Sequence, residues 1–343
     1  MVLGMFASHR VSDPMTAPAL RWGILGAGGI AGHFAAAVHE ATASTVVAVG
    51  SRDQGRADAF AQAHGIPAAH GSYAALVADP SVQAVYVASP HSEHREHALL
   101  ALAAGKPVLV EKAFTRSRAE AIEVFAAARA ASLLAAEAMW SRYLPHYDAI
   151  ARTITAGTLG EVVHVHADHS QLLWPNGPQR LWDPALAGGS LLDLGVYPVA
   201  FADLILGGLT DVRATGTLTP EGVDATAVIS ARGATGGQAV LTSSMAGAAA
   251  CTATVVGTQA RIELDGRFYQ PTTMRLIATN GELLDTFTPE HQFHGFRYEI
   301  AEFARTLATG AIETERMPHA TTLAVMDVLD QARAQLGVRY PGE

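Results

Sequence analysis

Residues 22–25 form a short apolar run, and Gly26-Ala27-Gly28-Gly29-Ile30-Ala31 follows at once, leading into an alanine-rich stretch that reaches Glu40. The spacing is GxGxxA, at Gly26, Gly28 and Ala31. The first glycine permits a tight turn, the second lets backbone approach a pyrophosphate, and the small third residue lets helix pack on strand. The helix N-terminus then offers unsatisfied amides and the positive end of its dipole. A glycine turn alone often just reverses a chain. Placed between a strand and a helix, this one predicts a dinucleotide site with Gly26, Gly28, Gly29 and Ile30 at the phosphates.

The alternation continues. Strand candidates at 22–25, 45–50, 84–88, 108–111 and 133–137 are separated by helical stretches at 30–40, 54–64, 73–78, 94–104 and 118–131. Near-continuous apolar strands of this kind belong to parallel sheets covered on both faces, so residues 20–140 are expected to form a Rossmann-type doubly wound α/β domain. After Pro145 the texture changes to a helix at 146–156, a strand at 161–167, a Pro/Gly-rich loop and a helix at 190–206. Closely spaced strands follow at 212–218, 225–231, 238–245, 252–256, 260–265 and 274–279, then helices at 295–308 and 321–336. Residues 141–343 are thus expected to be an α+β substrate-binding and oligomerisation domain with a large, mostly antiparallel open sheet, its closing helices placed to pack back on the first domain. Residues 1–19, interrupted by Pro14 and Pro18, read as a flexible tail.

Composition narrows the function. Cys251 is the only cysteine, which excludes an intrachain disulfide and a multi-cysteine metal site and points to a reducing, cytoplasmic setting. A formal charge of -9 disfavours nucleic acid and anionic lipid. Apolar stretches are broken by charge, Gly or Pro short of roughly 20 residues, so no membrane span is expected.

The second strand ends in Ser51-Arg52-Asp53, where an acidic residue would accept the ribose hydroxyls of NAD. A hydroxyl followed by a guanidinium suits a 2′-phosphate instead, which favours NADP(H) over NAD(H). The plainer reading is a solvated Arg52 and an Asp53 that caps the next helix. At 108–113, Glu111 and Lys112 close a strand, and ligands of open α/β sheets lie beyond the carboxyl ends of strands. Asp193 and Tyr197, four residues apart at the start of a helix, share a face. A phenol, with an ordinary pKa of about 10, becomes a useful proton carrier beside a cation, and Lys112 is a candidate for that cation.

Together WGILGAGGIA, ASPHSEH (88–94), GKPVLVEKA (105–113), EAMWSRYLP (137–145), GTLGEV, GGSLLDLGVYP and the tail LDQARAQLGVRYP resemble the Gfo/Idh/MocA oxidoreductases, over nearly all of the chain. The fit is best to the branch with dimeric dihydrodiol dehydrogenases and NADP-dependent aldose dehydrogenases. The resemblance implies nicotinamide-dependent hydride transfer at a sugar or cyclic diol carbon. It makes Lys112, Asp193 and Tyr197 the catalytic group, and puts Ser89, His91, His94, Glu111, Trp140 and Arg142 at the coenzyme. Loop position adds Asp168, Gln171, Trp174, Arg180 and His294 as substrate candidates. A metal on His91, His94 and His97 is disfavoured, since neither family nor composition asks for one. Ala113 stands where the family motif has proline, which is expected to loosen the aim of Lys112. Rival readings are a trans-dihydrodiol or inositol dehydrogenase, an NAD-dependent glycosidase working by transient oxidation, and a coenzyme-binding sensor. Self-association through the open sheet's exposed face is expected.

Overall fold

The computed structural model describes residues 5–290 and 295–343, in two compact units treated separately below. The first comprises residues 12–140 and 295–323, the second residues 5–11, 141–290 and 324–343.

In the first unit, β1 (Arg21–Leu25), α1 (Gly29–Ala41), β2 (Thr45–Gly50), α2 (Gln54–His64), β3 (Ala68–His70), α3 (Tyr73–Ala78), β4 (Ala84–Val87), α4 (His94–Ala103), β5 (Val108–Glu111), α5 (Arg118–Ala131) and β6 (Ala135–Ala138) alternate. The six strands are parallel in the order β3-β2-β1-β4-β5-β6. All four residues of β4 and of β5 are buried, as expected for strands covered on both faces. Side chains that accept from the first-turn amides start the helices: Asp53 for α2, Ser72 for α3 and Ser117 for α5. On one face Phe34 stacks on Tyr86 at 3.7 Å, and Trp22 lies 5.3 Å from Phe34 and 5.0 Å from Phe303. On the other, Phe114 stacks on Phe125 at 4.5 Å. Truncating any of these rings to alanine would cost about 3–5 kcal/mol.

The second unit contains α6 (Pro145–Thr155), β7 (Val162–Ser170) and α7 (Val196–Leu206). The remaining strands are β8 (Leu209–Leu218), β9 (Asp224–Gly233), β10 (Gln238–Ser244), β11 (Ala253–Gly257), β12 (Ala260–Leu264), β13 (Met274–Ala278) and β14 (Leu283–Phe287). Their order is β14-β13-β12-β11-β7-β10-β9-β8, antiparallel except for the β7–β10 pair. Along β9, Ala225, Ala227, Ile229 and Ala231 are buried while Val228, Ser230 and Arg232 face outward. Such alternation leaves one face for a core, and α7, buried nearly throughout, fills it.

Several local expectations need correction. The three-residue β3 and the short β14, none of whose residues is fully buried, were too weakly patterned to read from sequence. The helix expected at 190–206 opens as a π-helical turn, Leu191–Gly195. Part of the stretch expected as a flexible tail is held: Phe6, Ala7 and Arg10 donate backbone N–H bonds to Asp285, Thr153 and Asp148 at 2.7–3.0 Å. Among the described residues one stretch, Pro184–Leu206, is long and apolar enough to cross a membrane by length and composition, but 89% of its 18-residue apolar window is buried in the protein. Of the closing helices, α8 (Phe296–Ala308) belongs to the first unit, where it packs on α1. The last, α9 (His319–Leu336), starts there, with His319 Nε2 2.9 Å from the Ala135 carbonyl.

Candidate active site

At the glycine turn, Gly26 has φ +111°, and a Cβ there would lie 2.8 Å from the Ala88 carbonyl oxygen. Only glycine meets both constraints. Gly28 caps α1 without a side-chain hydrogen bond, the first turn carries no acidic residue, and nothing lies within 4 Å of the Cβ position at Gly28 or Gly29. Open space above uncapped amides fits the diphosphate of a nicotinamide dinucleotide, with Ile30 half-buried on the same turn. At the end of β2, Asp53 Oδ1 accepts from Arg56 N at 2.7 Å and Ser51 Oγ accepts from Asp53 N at 3.3 Å. The carboxylate is spent on capping α2. Arg52 is exposed and pairs with no acid among the described residues.

Lys112 leaves the end of β5 on a segment held at successive backbone atoms. His91 Nε2 lies 3.2 Å from the Lys112 carbonyl and His94 Nδ1 3.0 Å from the Ala113 carbonyl, while Phe114 N donates to Glu137 Oε1 at 3.2 Å. The Lys112–Ala113 peptide is cis. Side chains from neighbouring elements thus fix the backbone that a proline ring was expected to fix.

This changes the assignment of two residues expected at the coenzyme. His94 is 1% exposed, with its second nitrogen 2.8 Å from the Ser89 carbonyl, so both ring nitrogens are held by backbone and the ring acts as a strut; burial lowers its pKa to about 4. Glu111 is buried and accepts the Tyr86 hydroxyl. Ser89 Oγ is 2.9 Å from His97 Nδ1, and Trp140 stacks on Phe296 at 5.1 Å. Behind the segment, Glu299 is buried near Glu111 and Glu137 with neither carboxyl oxygen hydrogen-bonded. Burial first, and then these two neighbours, raise its pKa well above the ordinary 4.5.

In the second unit the π-helical turn carries Asp193 and α7 begins with Val196 and Tyr197. Single π turns often occur at functional sites. Buried Asp224 anchors this turn, Oδ2 accepting from Ser190 Oγ at 2.8 Å and from Leu191 N at 2.6 Å. Arg180 Nη1 donates to Asp193 Oδ1 at 3.0 Å, joining two residues named from sequence. Tyr197 packs 5.1 Å from His169 and 4.9 Å from Tyr269, which stack on each other at 4.0 Å. Gln171 Nε2 reaches His169 Nε2 at 2.7 Å and the Tyr269 hydroxyl at 3.2 Å. Burial pushes Tyr269 up to about 12, so its hydroxyl stays a donor. Beside this cluster a cavity of about 490 Å³ is lined by Ser170, Gln171, Leu173, Cys251, Arg267 and Tyr269.

His169, Tyr269 and Asp224 were missed from sequence. His169, two residues before Gln171, alternates onto the face of β7 that α7 covers; Tyr269, in the turn between β12 and β13, and Asp224, at the start of β9, arrive from distant parts of the chain and carry no local signal. Other expectations separate. Asp168 alternates to the opposite face of β7 and accepts from Ser170 Oγ at 2.7 Å. Arg142, expected at the coenzyme, is 8% exposed and turned onto α7, donating to the Ala200 carbonyl at 2.8 Å and pairing with Asp203 at 3.5 Å. Trp174 is half-buried and donates its backbone N–H to the Met245 carbonyl at 2.8 Å. His294 lies outside the described residues.

This combination of sheet, glycine turn and polar helix start has close counterparts among known proteins. The sequence profile of an oxidoreductase family with an NAD-binding Rossmann fold matches residues 20–138, and that of the Gfo/Idh/MocA C-terminal domain matches residues 147–263. The chain belongs to the Gfo/Idh/MocA oxidoreductases. Trans-1,2-dihydrobenzene-1,2-diol dehydrogenase of Danio rerio is 34% identical over 330 residues, covering 94% of this chain and 98% of the relative. The Homo sapiens enzyme of that name is 34% identical over 331 residues, with the same shares of 94% and 98%. Among solved structures, a 3-ketoreductase from Actinomadura kijaniata in complex with NADP and TDP-benzene superposes with TM-score 0.81 at 28% identity, over 93% of this chain and 98% of that one. The aldose-aldose oxidoreductase of Caulobacter crescentus shares the fold, with TM-score 0.84 at 24% identity over 93% of this chain and 97% of that one.

Proposed function

We propose that this oxidoreductase transfers hydride between NADP(H) and a hydroxyl-bearing carbon of a sugar or a cyclic diol. The observation that carries the reading is the polar cluster gathered around Tyr197 at the start of α7. There Tyr197 stands among His169, Tyr269 and Gln171, beside the Arg180–Asp193 pair and a cavity of about 490 Å³, large enough for a ring with several hydroxyls. The similarity to a diol dehydrogenase and to a 3-ketoreductase bound to NADP supports the same chemistry.

In this reading the nicotinamide supplies the hydride acceptor or donor. Gly26, Gly28, Gly29 and Ile30 hold the diphosphate, and Ser51 with Arg52 takes the 2′-phosphate. Tyr197 removes the hydroxyl proton of the substrate during oxidation and returns it during reduction. Lys112 stabilises the developing alkoxide and tyrosinate charge. Asp193, held by Arg180, accepts a hydrogen bond from a second substrate hydroxyl, while Gln171 lines the far side of the pocket. The single cysteine and the acidic balance support a cytoplasmic protein with no nucleic-acid partner. Outward-facing Val228 and Val240 on adjacent strands of the second unit support self-association through that sheet face.

The test is turnover of Tyr197→Phe and Lys112→Ala with NADP⁺ and either trans-1,2-dihydrobenzene-1,2-diol or an aldose. Each variant is expected to lose at least about 100-fold in kcat while NADPH binding survives. Wild-type rates in both variants would overturn the assignment.

A further inference from the structure

The chain ends in a folded strap rather than a frayed terminus. After α9, Val338 N donates to the Arg333 carbonyl at 3.1 Å and Tyr340 N to Glu343 Oε2 at 3.1 Å. Arg333 Nη1 makes bonds of 2.8 and 2.6 Å to the two carboxyl oxygens of Glu343, and Nη2 reaches Asp330 at 3.2 Å. The same guanidinium lies 4.6 Å from the ring centroid of Tyr340. A cation stacked on the ring and paired on its far side fixes the ring's plane. Tyr340 is 3% exposed, and its hydroxyl has one destination, the Gly188 carbonyl at 2.7 Å.

Gly188 occupies a position that decides how the substrate turn is set. A Cβ on it would lie 2.8 Å from the Leu181 backbone and 3.0 Å from the Arg180 carbonyl, so the loop that carries Arg180 rests directly on it. The next residue, Gly189, donates to the Leu181 carbonyl at 2.8 Å, and its own carbonyl receives the Asp193 N–H at 3.4 Å. One peptide therefore joins the turn that presents Arg180 to the π turn that presents Asp193, and α7 with Tyr197 continues from it. Asp224 anchors this junction through Ser190 and Leu191. The strap meets it at the Gly188 carbonyl.

We propose that Tyr340, clamped by Arg333 and Glu343, is a positioning residue for the catalytic turn. Its hydroxyl fixes the Gly188 peptide and with it the Arg180–Asp193 pair and the start of α7. The inference rests on the reading that Asp193 and Tyr197 serve the reaction. Burial holds the Tyr340 phenol well above its ordinary range, which keeps the hydroxyl a donor throughout the working range of pH.

The experiment compares the full-length wild type with Tyr340→Phe, which keeps the ring under Arg333 and removes only the hydroxyl. Amide hydrogen exchange is read by mass spectrometry, and turnover is measured with NADP⁺ and trans-1,2-dihydrobenzene-1,2-diol. Peptides covering residues 189–197 are expected to exchange roughly 5- to 10-fold faster, with those of β9 and β10 unchanged. The kcat is expected to fall roughly 5-fold with the KM for NADP⁺ unchanged and a larger isotope effect for substrate deuterated at the carbinol carbon. Glu343→Gln loosens the clamp without touching the buried hydroxyl, should move both readouts in the same direction by a smaller factor, and serves if Tyr340→Phe does not fold. Wild-type exchange over 189–197 in either soluble variant would overturn the proposal whatever the turnover does. Faster exchange with unchanged kcat and isotope effect would overturn it as well. If Tyr197→Phe turns over normally, the functional reading fails, and the exchange experiment still decides whether Tyr340 holds the turn.

Discussion

At Arg52 an exposed guanidinium follows a buried serine, while the neighbouring carboxylate of Asp53 is spent on the first turn of α2. Charge-assisted bonds from an arginine to phosphate contribute about 1.5–3 kcal/mol. Arg52→Ala is therefore expected to weaken NADPH binding roughly 10- to 100-fold and NADH binding less than about 2-fold, measured by quenching of protein fluorescence. Equal loss for both coenzymes would contradict the assignment of Arg52. An exposed Arg52 and a capping Asp53 were legible in sequence because their signals are local, at a strand end and a helix start. His94 was not: the same segment marks it as close to the coenzyme, yet the folded chain buries it and turns both nitrogens onto backbone carbonyls. Which way a side chain faces at the start of a helix depends on what packs above it. The role of His94 as a strut predicts that His94→Phe lowers kcat at least about 5-fold while NADPH affinity stays within about 2-fold, as titration and steady-state rates would show.

Elements read well from sequence where periodicity was strong. The parallel strands of the first unit and the alternating strands of the second were expected close to their observed positions. The π-helical turn was not, since its one extra residue leaves the hydrophobic pattern of 190–206 intact. Asp193 and Tyr197 were placed on one face by α-helical spacing, and their surroundings, His169 on β7 and Tyr269 in the turn after β12 above all, come from parts of the chain that no local pattern links to them. The same holds for Glu299 on α8, which folds back from the end of the chain to lie near Glu111 and Glu137. Its pKa is raised in the folded state, so the stability it contributes is fully present below 4.5 and is lost as pH rises towards its folded value. Glu299→Gln removes that titration. Above pH 4.5 the Tm of the variant should fall less steeply than that of the wild type, by about 3 °C per pH unit within the window, as read by calorimetry. Parallel Tm curves would contradict a buried, proton-retaining Glu299.

For the whole molecule, sequence motifs spread over nearly the entire chain identified the family, and matches to both the nucleotide-binding and the C-terminal profiles agree. The outer face of β9 and β10 presents Val228 and Val240, 41% and 42% exposed, among polar neighbours such as Ser230, Arg232 and Thr242. Val228→Lys combined with Val240→Lys should convert the assembly to monomers in light scattering while the melting transition of the isolated chain changes little; a wild type that is already monomeric would remove this face from the account. Hydride transfer from a sugar or diol carbon to NADP⁺ is tested most directly by following nicotinamide absorbance, with NADP⁺ and then NAD⁺, over trans-dihydrodiols, aldoses and inositols deuterated at the reacting carbon. Reduction of NADP⁺ ahead of NAD⁺ by a diol or an aldose is expected, with deuterium delivered to the coenzyme and the rate abolished in Tyr197→Phe. Tight coenzyme binding with no reduction by any substrate of the panel would contradict it.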